Sequence, residues 1–325
     1  MMANIWTNRR IRYLKELSGA SGKTPGEPMI ASMGSTGPPN VEEPAFIRDY
    51  LVCDGAQVTR PSIDPYREPV DTQIHLHGIG IRLSQPLILS VYPDYPSVLR
   101  RALVRAAYNL GLLAYIRERS LVAGEEVYGE RILVHDGSRS HEGIGVAKHY
   151  VRNVPIMLET PSTIGLEWAS NLSWENIVGV IVDENYAGSD TPIEVATSHV
   201  DRMLRRISMD GQPLRDRITL IASSRSIRGA DDIFKLVALG ADAVTLGDAA
   251  LIAADCIGKT QPENILYERI ENLAIALQKE VKLLAGAAGV SSIYTSLVGN
   301  RELLRALGLD ADTRARLGVK LAGVG

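Results

Sequence analysis

Two polar turns in one stretch of the chain carry the side chains best suited to chemistry. From Arg217 to Ala254 the sequence reads RITLIASSRSIRGADDIFKLVALGADAVTLGDAALIAA. A β-rich run at 218–222 leads into the turn Ser224-Arg225-Ser226. A helix follows, with apolar residues at Ile233, Leu236, Val237 and Leu239. Gly240 stops that helix, a second β run occupies 243–246, and Gly247 opens a second turn that carries Asp248. A β–turn–α–β–turn–α unit of this kind builds a parallel sheet. In barrels made from such units the two turns face one ligand, usually a phosphate held by backbone N–H groups at helix N-termini. Here the first turn presents a guanidinium rather than a glycine pair, and the second presents a carboxylate. The scaffold reads as kept and the site as changed. Elsewhere, His75 and His77 are two residues apart and share a face if that segment is a strand. No third ligand is evident, so two structural histidines are expected there and no metal site.

The elements that would position those turns follow a βα rhythm from Pro86 onward. Short apolar runs at 87–90, 111–115, 131–135, 156–158, 178–182, 218–222 and 243–246 predict seven strands buried on both faces. Helical patterns intervene at 98–110, 143–152, 164–171, 192–207 and 232–239. An eighth strand is expected near 165–169 or as an irregular segment. Ahead of the rhythm, 4–18 predicts a short amphipathic helix. The Gly/Ser/Pro/Thr-rich 19–45 predicts a linker or surface wrap, and 73–81 a hairpin outside the barrel. A long helix at 264–285 and a short packed cap close the chain. The predicted fold is therefore α/β: a (β/α)8 TIM barrel over 61–325 with C-terminal helices, preceded by an N-terminal helix and extended wrap over 1–60.

Composition bounds the function. A length of 325 residues, 45% of them hydrophobic and 22% charged, suits one barrel with extensions. A net charge of −3 argues against a nucleic-acid or anionic-membrane surface. The sequence shows no apolar membrane span and no hydrophobic signal core, so a cytoplasmic location is expected. The two cysteines, Cys53 and Cys256, set no disulfide framework and cannot by themselves hold an iron–sulfur cluster.

Three segments carry a family resemblance. PSIDPYREPVDTQIHLHGIGIRLSQPLILS, VALGADAVTLGDAALIAADCIG and ENLAIALQKEVKLLAGAAGVSSIYTSLVGNRELL, in that order, resemble the FMN-binding barrel of glutamate synthase, archaeal short type. The third resembles the family's C-terminal helix and tail, which other FMN barrels lack. The resemblance covers about residues 60–310. It implies FMN at the C-terminal mouth of the barrel and the reductive amination of 2-oxoglutarate to glutamate. Carried over position by position, it places Ser90, Tyr92, Ser224, Arg225, Ser226, Gly247 and Asp248 on the FMN loops, with Tyr92 able to stack on the flavin ring.

The loops depart from the family's pattern at almost every mouth position. After the second strand a glycine-rich loop has become Arg117-Glu118-Arg119, in which Glu118 alone matches. The two arginines there can hold a carboxylate or phosphate in forked hydrogen bonds. His135 is a candidate acid–base group, because imidazole titrates near neutrality. Where the family has a lysine beside the flavin, this chain has Thr160, and a neutral hydroxyl cannot stabilise an anionic flavin as an ammonium does. Catalytic candidates are therefore His135, Glu118 and Thr160. Asp183 and Glu184, adjacent at a strand end, point to opposite faces. The cluster-binding cysteines expected after Cys256 are missing, so no iron–sulfur cluster is expected. Glutaminase function is not expected either, since the sequence does not start with a catalytic cysteine.

Three readings stay open. One is an active flavoenzyme with a remodelled FMN site. The second is a non-catalytic structural or regulatory subunit beside an active paralogue. The third is a barrel that binds another anionic small molecule through Arg117, Arg119 and Arg225. An Arg225–Asp248 salt bridge closing the phosphate position is one expected outcome, and a homo-oligomer or a complex with another glutamate synthase-type subunit is the expected assembly.

Overall fold

The computed structural model describes residues 5–21, 25–29, 45–117, 121, 123–139, 145–149, 155–161, 174, 177–184 and 191–323. Eight strands close into a barrel: β4 (Leu87–Val91), β5 (Leu113–Ile116), β6 (Ile132–Arg139), β7 (Gly145–His149), β8 (Pro155–Pro161), β9 (Gly179–Asp183), β12 (Thr219–Ser223) and β13 (Ala243–Leu246). They follow chain order around the ring, and β13 pairs with β4 to close it. The runs that read as strands buried on both faces are so: every residue of β4, β5, β9, β12 and β13 is buried. Between or beyond them lie α2 (Ser97–Asn109), α3 (Ile193–Arg206), α4 (Ala230–Leu239), α5 (Asp248–Ala253) and α6 (Glu263–Ala287). Among the described residues no helix is long and apolar enough to cross a membrane.

The structure corrects one element. The helix expected over 143–152 is not there; Gly145–His149 is a strand, and it runs antiparallel to both β6 and β8. The ring therefore has seven parallel strands and one antiparallel strand, a three-stranded meander standing where one βα unit would be. Two glycines and a valine in Gly143-Ile144-Gly145-Val146 weaken helix propensity, and flanking strands with open ladders captured the segment. The helix expected over 164–171 and the eighth strand near 165–169 lie outside the described residues. So do most residues of the proline-rich wrap.

The two ends of the chain serve the barrel. Helix α1 (Asn8–Leu17) is capped by Thr7, buries Leu14 and Leu17, and packs on α5. Strand β1 (Leu51–Cys53) joins β14 (Leu304–Ala306), which in turn pairs with β15 (Lys320–Leu321). The expected hairpin is β2 (Ile74–Leu76) and β3 (Ile81–Leu83), separate from the barrel sheet. It plugs the N-terminal end of the barrel. A methyl built on Gly78 would lie 1.7 Å from the carbonyl oxygen of Val178, just ahead of β9. Gly78→Ala must therefore push the plug off the barrel, and a loss of about 3 kcal/mol in unfolding free energy is expected. Gly55→Ala, which adds a methyl with nothing within 4 Å, is the matched control and should change stability by less than about 0.5 kcal/mol. Equal denaturation midpoints for the two variants would refute the plug.

Candidate functional site

The C-terminal ends of the parallel strands make one mouth, and the sequence put most of its candidate residues there. Arg117 leaves the end of β5, its N–H donating to the carbonyl of Val91 at 3.0 Å. Its guanidinium reaches Asp183, the last residue of β9, in a close ion pair. In a ring of eight, β5 and β9 stand four places apart in either direction, so this pair spans the mouth. Asp183 is fully buried, and Arg117 also donates to Ser223 Oγ at 3.3 Å. The guanidinium carbon lies 5.3 Å from the ring centres of both Tyr92 and Tyr115, within cation–π range.

A second arginine fills the phosphate-side turns. Arg225 Nε donates to Asp248 Oδ1 at 2.9 Å, and its NH2 donates to Asp94 Oδ2 at 2.7 Å. Its guanidinium lies 4.2 Å from the Tyr92 ring centre. Tyr95 donates to the same Asp248 oxygen at 3.1 Å. Burial works to lower the Arg225 pKa, but the hydrogen bond to Asp94 and the charge of Asp248 outweigh it, so the group is held firmly cationic. Burial, with Asp248 adding to it, pushes the Tyr95 hydroxyl well above its usual pKa; burial does the same to Tyr92. Both tyrosines therefore stay neutral across the physiological range. The expected Arg225–Asp248 bridge is present, with Asp94 as a further partner in the turn after β4.

The backbone at these turns is close-packed. A methyl built on Gly247 would sit 3.0 Å from the Cα of Arg225 and 3.1 Å from the Tyr92 ring, so a side chain there would have to press the turn or the ring aside by a few tenths of an ångström. Ser224 N–H donates to Thr245 Oγ1 at 3.2 Å and Ser226 N–H to Ser224 Oγ at 2.9 Å. Glu184, from the end of β9, accepts from the hydroxyls of Ser224 and Ser226. Ser226 is also held from the N-terminal extension: Arg48, fully buried, donates to its carbonyl at 2.9 Å and its hydroxyl at 2.8 Å. Arg48 pairs with Glu194 at 2.7 Å and with Asp232 at 3.2 Å, and Arg228 binds Asp232 and Asp49 at 2.6 Å each. The N-terminus of α4 is thus covered by the chain's own ion pairs.

The remaining candidates divide. Ser90 is fully buried on β4, and its hydroxyl, like those of Tyr92 and Tyr115, has no hydrogen-bond partner among the described residues. His135 is half-buried on β6, at the point where the register with β7 shifts. Thr160 lies on β8 in register with Val182 of β9. Glu118 and Arg119 fall outside the described residues. His75 and His77 lie at the other end of the barrel. His77 is in a 3-10 turn rather than on the strand, yet the two rings are 4.2 Å apart. Among the described residues no cluster of His, Cys, Asp and Glu could hold a metal ion. Sequence reasoning missed Arg48, Asp94 and Glu194. The alternation of acids with arginines was visible, but which acid meets which arginine depends on segments far apart in the chain.

Comparison with known proteins agrees with this architecture. Residues 181–261, which hold the end of β9, β12, β13 and the turns after β12 and β13, match a family model described as a conserved region in glutamate synthase. Archaeal glutamate synthase [NADPH] of Methanocaldococcus jannaschii is 40% identical over 153 residues, covering 41% of this chain and 29% of that protein. The chain thus aligns with less than a third of the length of that relative. Among solved structures, a flavocytochrome b2 variant with pyruvate bound superposes with a TM-score of 0.56 at 13% identity, covering 98% of this chain and 95% of the other. A mandelate oxidase variant with an FMN adduct gives 0.52 at 18% identity, covering 76% and 86%. At such identity these two speak for the fold alone. The chain is thus similar to glutamate synthase over residues 181–261 and over the 153 residues shared with the archaeal relative, on a barrel of the kind that FMN-dependent oxidases use.

Proposed function

We propose that this barrel is a non-catalytic member of its family, a structural or regulatory subunit that works beside an active glutamate synthase-type partner. The family and the fold neighbours make FMN the group to test against the mouth. The described residues do not fit it. A flavin phosphate at the paired turns needs free backbone N–H groups and positive charge. Here Ser224 and Ser226 N–H groups are already bonded within the chain, and Arg228 N–H donates to Asp232 at 2.8 Å. Of the two guanidiniums on the turn, Arg225 is held between Asp94 and Asp248, and Arg228 between Asp49 and Asp232. Asp248 itself would face a phosphate dianion with like charge. The single observation that carries the reading is that clamp: Arg225 lies over Tyr92 with a carboxylate on each side, in the place of an open phosphate cradle.

One observation favours the active flavoenzyme instead. The hydroxyls of Ser90, Tyr92 and Tyr115 are buried without protein partners, and such groups call for a polar occupant. Water can serve them as well as a ligand can. Flavin binding separates the readings. The purified protein is expected to show no visible flavin absorption and, titrated with FMN, no quenching of flavin fluorescence. A yellow protein with stoichiometric FMN would overturn the non-catalytic reading.

A further inference from the structure

The end of the barrel away from the mouth holds a polar cavity that the flavin reading does not use. It is about 220 Å³, and its lining includes His75, His77, Arg205, Arg215, Thr219 and Tyr294 together with the carboxylates of Asp216 and Asp242. At ~30 Å³ per water that is room for about seven waters, or for one small metabolite. Five separate parts of the chain build it: the β2–β3 hairpin, the end of α3, the turn before β12 with the start of that strand, the turn before β13, and the C-terminal tail. His77 Nε2 meets the Tyr294 hydroxyl across the opening. Thr219, at the base of β12, is 1% exposed, lines the cavity, and its hydroxyl has no hydrogen-bond partner among the described residues.

The charge around the cavity is arranged in two tiers. Arg215 is spent on structure: it donates to Asp201 at 2.8 Å, to Asp242 at 2.9 Å, and to the carbonyls of Ile218 and Gly240. Arg205 is different. Its Nε donates to Asp201 at 2.9 Å, but its terminal nitrogens donate to nothing among the described residues, and the side chain is 46% exposed. Arg301 is the third guanidinium on Asp201, at 2.8 Å. Three guanidiniums (Arg205, Arg215, Arg301) thus face three carboxylates (Asp201, Asp216, Asp242), and the fixed charge cancels. Arg82 on β3 adds one cation beside His75. The His75 imidazole decides how positive the cavity becomes.

We propose that this cavity binds a small dianion, a phosphate monoester or a dicarboxylate, through Arg205, the two imidazoles and the hydroxyls of Tyr294 and Thr219. The anion's oxygens meet donors from the hairpin, the barrel base and the tail at once, so the ligand ties the plug to the barrel. Binding is linked to protons. Slight burial and the neighbouring His77 and Arg82 hold the His75 pKa below its usual value, so the ring is neutral at neutral pH in the free protein. An anion beside it favours the imidazolium, and affinity therefore rises as pH falls. The inference does not depend on the mouth being closed.

The test is thermal denaturation of the full chain with inorganic phosphate, succinate or chloride at matched ionic strength, below and above the ordinary imidazole pKa of about 6.5. Either anion should raise the melting temperature on the acid side. For succinate, which keeps most of its second charge there, the apparent affinity should be at least about tenfold weaker on the alkaline side, while phosphate gains its second charge over the same range and should show a flatter trend. Phosphate and succinate arms show which anion the site prefers. The His75→Ala/Arg205→Ala double variant should melt somewhat below the parent without anion, because Asp201 keeps only two of its three guanidiniums, and should lose the shift; His77→Gln should weaken it. No shift with either dianion, an equal shift with chloride, or a shift that survives the double variant overturns the proposal. FMN plays no part in any arm, so these outcomes are independent of the flavin titration.

Discussion

Asp232→Ala is expected to lower the unfolding free energy by about 3–5 kcal/mol, the range for removing one partner from a buried ion pair. Its carboxylate accepts three bonds from Arg228: from the backbone N–H at 2.8 Å, Nε at 2.7 Å and NH2 at 2.6 Å. It also faces Arg48 Nε at 3.2 Å. Arg48 is completely buried and Arg228 is 7% exposed, so neither guanidinium can turn to water when the carboxylate goes. Asp49 and Glu194 remain, one on each arginine, and keep the loss from being larger. Denaturant unfolding checks the value: the midpoint should fall with the slope unchanged. A loss below about 1 kcal/mol would mean that the network is ornamental.

The same cluster sets the acid response. Burial alone would raise the Asp232 carboxyl, but the charges of Arg228 and Arg48 hold it far below its usual pKa. For Asp49, burial is likewise outweighed by the hydrogen bond from Arg228 and its charge. A carboxyl depressed in the folded state contributes its full stability above the unfolded pKa of about 3.9 and loses it as pH falls through the folded value. Asp231, raised chiefly by burial, acts in the opposite sense. With two groups against one, the parent should hold its stability down to about pH 4 and lose it below. Asp232→Ala should show a shallower acid limb, since one of the titrating groups is gone.

The second large effect is expected at the mouth. Arg117→Ala leaves Asp183, fully buried at the end of β9, without the guanidinium that reaches it from the opposite wall. A loss of about 2–4 kcal/mol is expected, on the lower side of the buried-pair range because Arg117 keeps some exposure and Ser223 is near. The informative measurement is a double-mutant cycle with Asp183→Ala. If the pair closes the barrel mouth, the coupling should be at least about 1 kcal/mol. Additivity within about 0.5 kcal/mol would show the contact to be incidental. The clamp at Arg225 should matter less to stability, because the side chains of Arg225 and Asp94 are partly solvated.

Sequence reading placed seven barrel strands within a few residues of where they lie, because strands buried on both faces write themselves as short apolar runs whatever surrounds them. It failed at 145–149. There the local signal was weak, and the neighbouring strands decided the conformation. It put Arg225, Gly247 and Asp248 on facing turns, because loop positions in a βα repeat are fixed by chain order, and the family resemblance added Tyr92, which the structure brings against them. It foresaw the Arg225–Asp248 bridge from opposite charges on facing turns. It could not foresee Arg117 meeting Asp183 across the ring, or Asp94 completing the Arg225 clamp. Nor could it see that Arg48, from an extension read as mere wrap, holds the phosphate-side turn shut.

The linear chain by itself determined the α/β repeat and the charged side chains of its loops, since each is written in residue type and local spacing. Only the tertiary structure decided what those charges do. An arginine on a loop can bind a ligand, meet solvent or pair with an acid. The choice turns on which carboxylate the closed ring brings within about 4 Å and on how little water remains around the pair. At this mouth the ring brought Asp183, Asp94 and Asp248 into reach.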